Sequence, residues 1–453
     1  MNRTIEMTLS VSSLVVCIFL FGCRSNWGTH RNPTIEELAY SLMYEEVLSR
    51  LQGRQWELET DPGTIMTYCD ALVETKRPLG QEIVSPSVPR HVSKFVRGYY
   101  SFRQGKLKES LKTFSELAQD KEHHLWGDLG ILEFSLVTGS ISNMKRPLES
   151  FEKEARKTPS VARQWNLPYY KAWYSFYSGQ YDEVDRILNE YKDSLDIPEL
   201  TYLKVRALLR QDRFNEAQEI IGKMPPQYQW TAESEADLIK LKYGSKRYFE
   251  FLSDKRKEYP KFWGIESRYA DALVDLEEID AATEVRKKLV QERPFDFFMH
   301  LAFAAHQLYH GNLEEAKAYL IQLDYPPEVN DYDVLMSEVY RKQDMNMKAW
   351  EYLWLARKMF PKSVYVLSTI MGLAFEERDF DKQYAALKER LEIDPNDIPT
   401  LVMAMFVHCL RKEYGEIMQV EKRINASKRY IDQDMREKME FVKTKCRVGA
   451  TSS

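Results

Sequence analysis

The chain has 453 residues, which is enough for about three average domains or for one long solenoid. Its 44% hydrophobic and 29% charged residues are typical of a folded protein, and 18 glycines and 18 prolines indicate no long low-complexity linker. The 64 basic and 69 acidic residues give a net charge of -5, which argues against a general nucleic-acid binder.

Residues 1–22 are predicted to be an export signal. The stretch from Leu9 to Phe21 is an apolar run of 13 residues, which suits a signal-peptide core. It is shorter than the roughly 20 residues that a membrane-spanning helix needs. The run leads into Leu20-Phe21-Gly22-Cys23, which resembles the lipobox of bacterial lipoproteins, although Phe21 stands where that motif holds a small residue.

The resemblance to bacterial lipoproteins implies that Cys23 becomes the mature N-terminus and carries acyl chains. Several chains anchor a protein stably, because each buried methylene contributes about 0.8 kcal/mol. Arg24 follows the cysteine where an aspartate often signals retention at the inner membrane, so the resemblance implies the outer membrane and its periplasmic side. An unlipidated secretory signal and an uncleaved anchor remain alternatives. Residues 23–32 are polar and are interpreted as a tether.

Residues 33–76 are predicted to form an N-terminal helical hairpin. Asp61-Pro62-Gly63 is predicted to be the turn between its two helices. Residues 77–90 contain three prolines and are interpreted as a linker. The helical spacing in this region is carried by Leu38, Leu42, Val47 and Leu51.

From residue 91 to residue 425 a pattern recurs with a period near 34 residues. A small residue in one helix is followed by a turn residue seven positions later and by a large apolar residue two positions after that. A small residue in a second helix comes three positions further on. Small residues let the two helices approach closely, and glycine ends the first helix in the left-handed conformation. The clearest copies are Gly98, Gly105, Leu107, Ser110; Ala172, Gly179, Tyr181, Val184; and Ala304, Gly311, Leu313, Ala316.

This pattern resembles the tetratricopeptide repeat (TPR), a helical hairpin of about 34 residues. The resemblance implies an all-α fold, a right-handed α-solenoid of about ten TPR-like hairpins, each burying its apolar face on the next. The stretch from about 230 to 262 matches poorly, and the copy from Trp126 to Pro159 is expected to have an elongated turn. Residues 426–453 are predicted to be a C-terminal capping helix and tail.

In this repeat family the first helix of each hairpin lines a concave groove. The phase of the pattern places aromatic and arginine side chains on that groove in the N-terminal half, and these side chains are frequent anchors at interfaces. Two alternatives remain open, namely that they are packing residues of the solenoid and that they stack on the sugars of a glycan. The predicted groove residues are Phe95, Tyr99, Phe102, Arg103, Tyr169, Trp173, Phe176, Tyr177, Tyr202, Arg206 and Arg210.

Known catalytic motifs are absent from the sequence, including those of zinc proteases, serine hydrolases, P-loop proteins and dinucleotide-binding folds. His306 and His310 have a spacing that could hold a metal, but no acidic third ligand lies close by in the sequence. The five cysteines include no C-x-x-C pair, and a Cys409–Cys446 disulfide remains open. We therefore expect no catalytic residue, no metal and no cofactor.

Together these features predict a non-enzymatic scaffold or adaptor lipoprotein of the cell envelope. It is expected to bind a protein or peptide partner in its concave groove, to be held at the membrane through lipid on Cys23, and not to bind nucleic acid. The alternative is a glycan- or nutrient-binding lipoprotein partnered with an outer-membrane transporter.

Overall fold

The computed structural model describes residues 35–40, 43–51, 61–80, 88–157, 166–190, 198–226, 228–260, 262–310, 312–323, 325–326 and 329–450. The predicted signal peptide, Cys23 and the tether lie outside these residues. Every regular element in the described ranges is an α-helix. Within the same ranges, none of the helices has the length and apolar character needed to cross a bilayer.

In the described residues before the repeats there are three helices, namely α1 (Ile35–Tyr40), α2 (Tyr44–Leu51) and α3 (Pro62–Glu74). The predicted turn at Asp61 is the start of α3, because the Asp61 carboxylate accepts a hydrogen bond from the Thr64 amide at 2.8 Å and Pro62 fits the first helical turn. Helix α3 packs against the first helix of the repeats.

Between Arg90 and Ala426 the described residues form ten helical hairpins, which confirms the solenoid of about ten units. We number them hairpin 1 to hairpin 10 and call the two helices of each one its first and second helix. In chain order they are α4 (Arg90–Arg103) with α5 (Leu107–Leu117), α6 (His124–Thr138) with α7 (Ile141–Lys157), α8 (Leu167–Tyr177) with α9 (Tyr181–Glu190), α10 (Pro198–Arg210) with α11 (Phe214–Ile221), α12 (Gln229–Glu258) alone, α13 (Trp263–Asp275) with α14 (Ile279–Glu292), α15 (Phe297–His310) with α16 (Leu313–Leu323), α17 (Asn330–Lys342) with α18 (Asn346–Met359), α19 (Val364–Glu376) with α20 (Phe380–Ile393), and α21 (Ile398–Leu410) with α22 (Tyr414–Ala426).

In nine of the ten hairpins, the turn contains one described residue in the left-handed conformation. Glycine takes this place in several turns, such as Gly105 with a φ of 75°, whereas non-glycine residues such as Arg378 adopt it elsewhere with a φ of 59°. The next amide then donates back to the end of the first helix, as from Lys106 to the Ser101 carbonyl at 2.9 Å. This bond satisfies a carbonyl that the helix leaves without a partner.

One local expectation needs correction. Hairpin 2 does not have an elongated turn, because α6 ends at Thr138 and α7 begins at Ile141 with only Gly139 and Ser140 between them. The poorly matching stretch near 230–262 is also a hairpin. Its helix α12 breaks at Gly244, whose φ of 79° and ψ of -177° are not helical.

The small residues of the pattern lie where helices approach most closely. Ala282, Ala316 and Ala349 are completely buried. At Gly130 an added Cβ would lie 2.2 Å from the ring of Phe114, so glycine is required there. The large residues of the pattern fill the space between neighbouring hairpins, and this burial is the main favourable term that holds the stack together.

The stack of hairpins coils back onto itself. Along what we call the inter-turn seam, hydrogen bonds join residues that are 184 to 219 positions apart. The Arg293 guanidinium donates two bonds to the Glu74 carboxylate at 2.8 and 2.6 Å. The Ser142 hydroxyl donates to the Met359 carbonyl at 2.8 Å. The turns inside hairpins of the first superhelical turn therefore touch the connections between hairpins of the second.

The C-terminal helix α23 (Gln433–Ala450) closes the stack against α21. A disulfide joins Cys409 of α21 to Cys446 of α23, with 5.8 Å between their Cα atoms, so the bridge that the sequence left open is formed. The side chain of Val442 is buried in the same interface. Ala426, the first residue of the predicted cap, still belongs to α22.

We expect the replacement Cys446→Ser to loosen α23 selectively. The bridge spans 37 positions, and closing a loop of that length stabilises the folded state by about 4 kcal/mol in the chain-entropy account. Hydrogen exchange followed by mass spectrometry should show faster exchange in α23 and unchanged exchange in α4 to α9. Reduction of the wild-type protein should reproduce the effect, and unchanged exchange in α23 would contradict it.

Candidate partner-binding surface

The groove residues predicted from the sequence lie on α4, α8 and α10. Only Arg103, Tyr177 and Arg210 among them are partly exposed. The prediction of an exposed groove is wrong at the other eight positions, because the coil is so tight that the inner sides of the first helices pack on each other. The buried residues are Phe95, Tyr99, Phe102, Tyr169, Trp173, Phe176, Tyr202 and Arg206.

The aromatic side chains of this set contact other rings, both along one first helix and on the next first helix. The ring of Phe102 on α4 lies 5.7 Å from that of Phe134 on α6. The ring of Trp173 lies 5.9 Å from Phe176 and 5.6 Å from Tyr177, measured between centroids. Such pairs contribute about 0.5–1.5 kcal/mol beyond the area that they bury. Their first role is therefore to pack the solenoid.

Charged side chains on the inner side are paired with each other. Arg268 of hairpin 6 contacts Glu233 at 3.3 Å and Asp237 at 2.5 Å, and it also donates to the hydroxyl of Tyr202 at 3.2 Å. Tyr202 belongs to hairpin 4, so one arginine links helices two hairpins apart. The curvature of the coil brings these groups together, and the pairing compensates their removal from water.

The buried Glu133 of α6 is a carboxylic acid in an unfavourable place for a charge. Burial raises its pKa to about 8, although the hydrogen bond from the Tyr170 hydroxyl opposes this shift. Nearby Asp70 adds to the rise, whereas the Arg103 cation lowers the pKa. Glu133 is therefore mostly protonated at neutral pH.

Arg206 differs from the paired charges. Its side chain is buried on α10. Its guanidinium carbon lies 4.9 Å from the ring centroid of Phe176 and 5.5 Å from that of Tyr202. No described residue accepts a hydrogen bond from it. The Nη1 atom is fully buried without a partner.

The inner side becomes accessible toward the C-terminal end of the coil. Counted back from the left-handed turn residue, Glu376 and Leu410 are the equivalents of Tyr177 and Arg210, and Phe375 is the equivalent of Phe176. The side chains of Phe375 and Leu410 are 42% and 48% exposed. We call the following five residues the C-terminal inner surface: Lys342, Gly372, Phe375, Glu376 and Leu410.

Gly372 provides the space in this surface. It is the equivalent of Trp173 and Arg206, six positions before the turn residue. A Cβ built at Gly372 would meet no atom within 4 Å. The ring of Phe406, at the same position in hairpin 10, lies 6.3 Å from the exposed ring of Phe441 on α23. The centre of the surface is therefore apolar and open where the earlier hairpins are filled.

His306 and His310 do not have the surroundings of a metal centre. Their rings lie 5.1 Å apart, and the His306 Nε2 atom is 2.6 Å from the hydroxyl of Thr283. Across the described ranges, three or more His, Cys, Asp or Glu side chains nowhere come together in an arrangement that could hold a metal.

No family model and no curated protein matches the chain. Among solved structures, the APC/C hetero-tetramer Cut9–Hcn1 is similar with a TM-score of 0.43 at 11% identity, over 90% of this chain and 88% of that chain. The human IFIT1 dimer with m7Gppp-AAAA is similar with a TM-score of 0.38 at 13% identity, over 86% of this chain and 91% of that chain. Scores this low carry no argument about function, and the fold is assigned from its own hairpins and turns.

We expect Trp173→Ala to destabilise the protein by about 3–5 kcal/mol, since it empties a large buried site. The matched control is Trp354→Ala, because Trp354 is 52% exposed and its removal leaves no internal cavity. Urea unfolding followed by circular dichroism measures both variants. Equal stability of Trp173→Ala and the wild type would return Trp173 to the role of a groove residue.

We expect the free energy of unfolding to fall as the pH rises from about 5 to 8. In this range Glu133 keeps its proton in the folded state and loses it in the unfolded state, so a rising pH favours unfolding. One such group accounts for at most about 1.4 kcal/mol per pH unit. Glu133→Gln keeps the shape and cannot ionise, so its unfolding free energy should depend less on pH over this range. Parallel pH profiles of the variant and the wild type would contradict the assignment.

Proposed function

We propose that this protein is a non-enzymatic scaffold lipoprotein of a bacterial cell envelope, and that it binds a protein or peptide partner on the C-terminal inner surface. The observation that carries the proposal is the exposure of Phe375 and Leu410 at positions whose equivalents in hairpins 3 and 4 contribute to packing or to the seam. Apolar side chains left open beside a packed interior mark a surface for another molecule.

Charged groups border the apolar centre of this surface. Arg341 contacts Glu338 at 2.6 Å and also contacts Glu376, and Lys342 is exposed beside them. An apolar centre with a polar rim is the usual anatomy of a protein interface. The rim is close to neutral, which fits a peptide or protein better than a polyanion.

The disulfide supports the envelope location. Disulfides form and persist in oxidising compartments such as the bacterial periplasm, and they are rare in the cytosol. The Cys409–Cys446 bridge is therefore in keeping with an exported protein whose leader ends in the lipobox-like Leu20-Phe21-Gly22-Cys23. Lipid on Cys23 would hold the solenoid at the membrane and leave the partner surface in the periplasm.

The pairing of interior charges supports a role without catalysis. A catalytic acid or base must reach a substrate, whereas Arg268, Glu233 and Asp237 contact one another on the packed inner side. Glu133 has a strongly raised pKa but is completely buried. The accessible part of the inner side instead presents Phe375 and Leu410.

One observation favours the alternative of glycan binding. A surface cleft of about 1010 Å³ beside α7, α8 and α9 is lined by tyrosine, amide and carboxylate side chains, which are groups that can stack on sugars and bond their hydroxyls. Its lining includes Glu149, Tyr174, Gln180, Tyr181 and Gln211.

The two functions are separated by affinity capture from envelope extracts of the native host. We expect one reproducible protein partner with the wild type and a loss of about tenfold or more with the double variant Phe375→Asp, Leu410→Asp, because both charges enter an apolar contact. Met347→Asp is the matched control, since Met347 is 82% exposed on α18. Undiminished capture by the double variant, or retention of glycan alone, would contradict the proposal.

A further inference from the structure

Among the described residues, the buried arginines have carboxylate partners, with one exception. Arg286 pairs with Asp271, Arg293 with Glu74, and the buried Arg429 with Asp212 and Asp394. Arg206 is only 8% exposed, and no carboxylate of the described residues lies within ion-pair distance of it. Arg206 lowers the pKa of Glu233 without contacting that carboxyl group. A buried guanidinium without a contacting anion is unfavourable, so its free edge suits a counterion.

The surroundings fix the direction of the Arg206 head group. Phe176 and Tyr202 each have their ring within 5.5 Å of its guanidinium carbon. Stacking on aromatic rings leaves the planar edge of a guanidinium free, and that edge matches the two oxygens of a carboxylate. The buried Nη1 atom lacks an acceptor among the described residues.

The inner side next to Arg206 is partly open. Tyr177 and Arg210, which are the next inner residues along α8 and α10, are partly exposed. Across the inter-turn seam the hydroxyl of Tyr181 donates to the Ile393 carbonyl at 3.2 Å, and Arg210 pairs with Asp394 at 2.9 Å. The turn ends of hairpins 3 and 4 therefore lie against the connection between hairpins 9 and 10.

The charges nearby select the kind of anion. Glu233 and Asp237 on the first half of α12 and Asp394 at the seam are carboxylates already paired with arginines. Because these carboxylates already occupy the neighbouring arginines, Arg206 is left as a single positive charge, which matches one carboxylate better than a chain of phosphates.

We propose that Arg206 binds one carboxylate of an acidic peptide segment that enters the coil from the C-terminal inner surface. The proposal rests on the proposed function, since the same partner would cover Phe375 and Leu410 and extend inward. Arg206 is then the residue that distinguishes an acidic segment from a neutral one. A bound carboxylate would compensate the buried positive charge that has no contacting partner inside the protein.

The test uses the full chain in detergent and two immobilised pools of nonapeptides without other charges. One pool carries a central Glu and the other a central Gln. We expect the wild type to be retained about tenfold more by the Glu pool, as for a charge-assisted hydrogen bond. With Arg206→Gln the preference should vanish while binding to the Gln pool stays the same. Arg247→Gln is the control, because Arg247 is exposed and pairs with Glu250.

A stability measurement separates binding from structure. Since Arg206 lacks an internal partner, Arg206→Gln and Arg206→Met should melt at the same temperature as the wild type or higher in the absence of peptide. Marked destabilisation of both variants would assign Arg206 to packing and overturn the proposal.

The peptide pools also distinguish a failure of the Arg206 site from a failure of the proposed function. Equal retention of both pools, sensitive to Phe375→Asp and Leu410→Asp, would overturn the Arg206 site and leave the proposed function intact. A Glu preference that survives in Arg206→Gln would overturn the site as well. Retention of neither pool by the wild type would overturn both.

Discussion

The buried ion network at the inter-turn seam is the constraint on which the shape of this solenoid depends. Arg429 contacts Asp212 at 2.7 Å and Asp394 at 2.9 Å, and Arg210 contacts Asp394 from the other side. Burial alone would raise the pKa of Asp394, but the two arginines outweigh it and hold that pKa below its ordinary value. A seam made this way fixes the radius of the coil, because each charge is buried only if its partner arrives from the other turn.

The radius of the coil decides which side chains are accessible, and local sequence cannot report it. Helix ends, turns and the small residues of each hairpin follow from contacts within about 34 residues, which is why the pattern from 91 to 425 predicted the hairpins. The seam depends on residues 184 to 219 positions apart. Trp173 and Tyr202 have the same spacing whether they face a wide groove or a packed interior, so the phase of the repeat does not report that they are buried.

Part of the accessible surface could have been predicted from the sequence. Six positions before the turn, hairpins 3 and 4 carry Trp173 and Arg206, whereas hairpin 9 carries Gly372. The exchange of a bulky side chain for glycine on an inner face opens space, and Phe375 three positions later is then uncovered. Aromatic and arginine content favours the N-terminal half as a binding surface, although a large side chain fills a groove as readily as it lines one.

The C-terminal end of the coil is braced on two sides, and this bracing bears on binding. The disulfide fixes α23 to α21 beside Leu410. On the opposite turn, the ring of Tyr430 lies against Gly244, where an added Cβ would come within 2.4 Å of it, and the Tyr430 amide donates to the Leu241 carbonyl at 2.9 Å. A surface held in this way loses little freedom when a partner arrives, so more of the contact energy appears as affinity. An oxidising compartment, which keeps the bridge formed, would thereby keep the C-terminal inner surface in its binding shape.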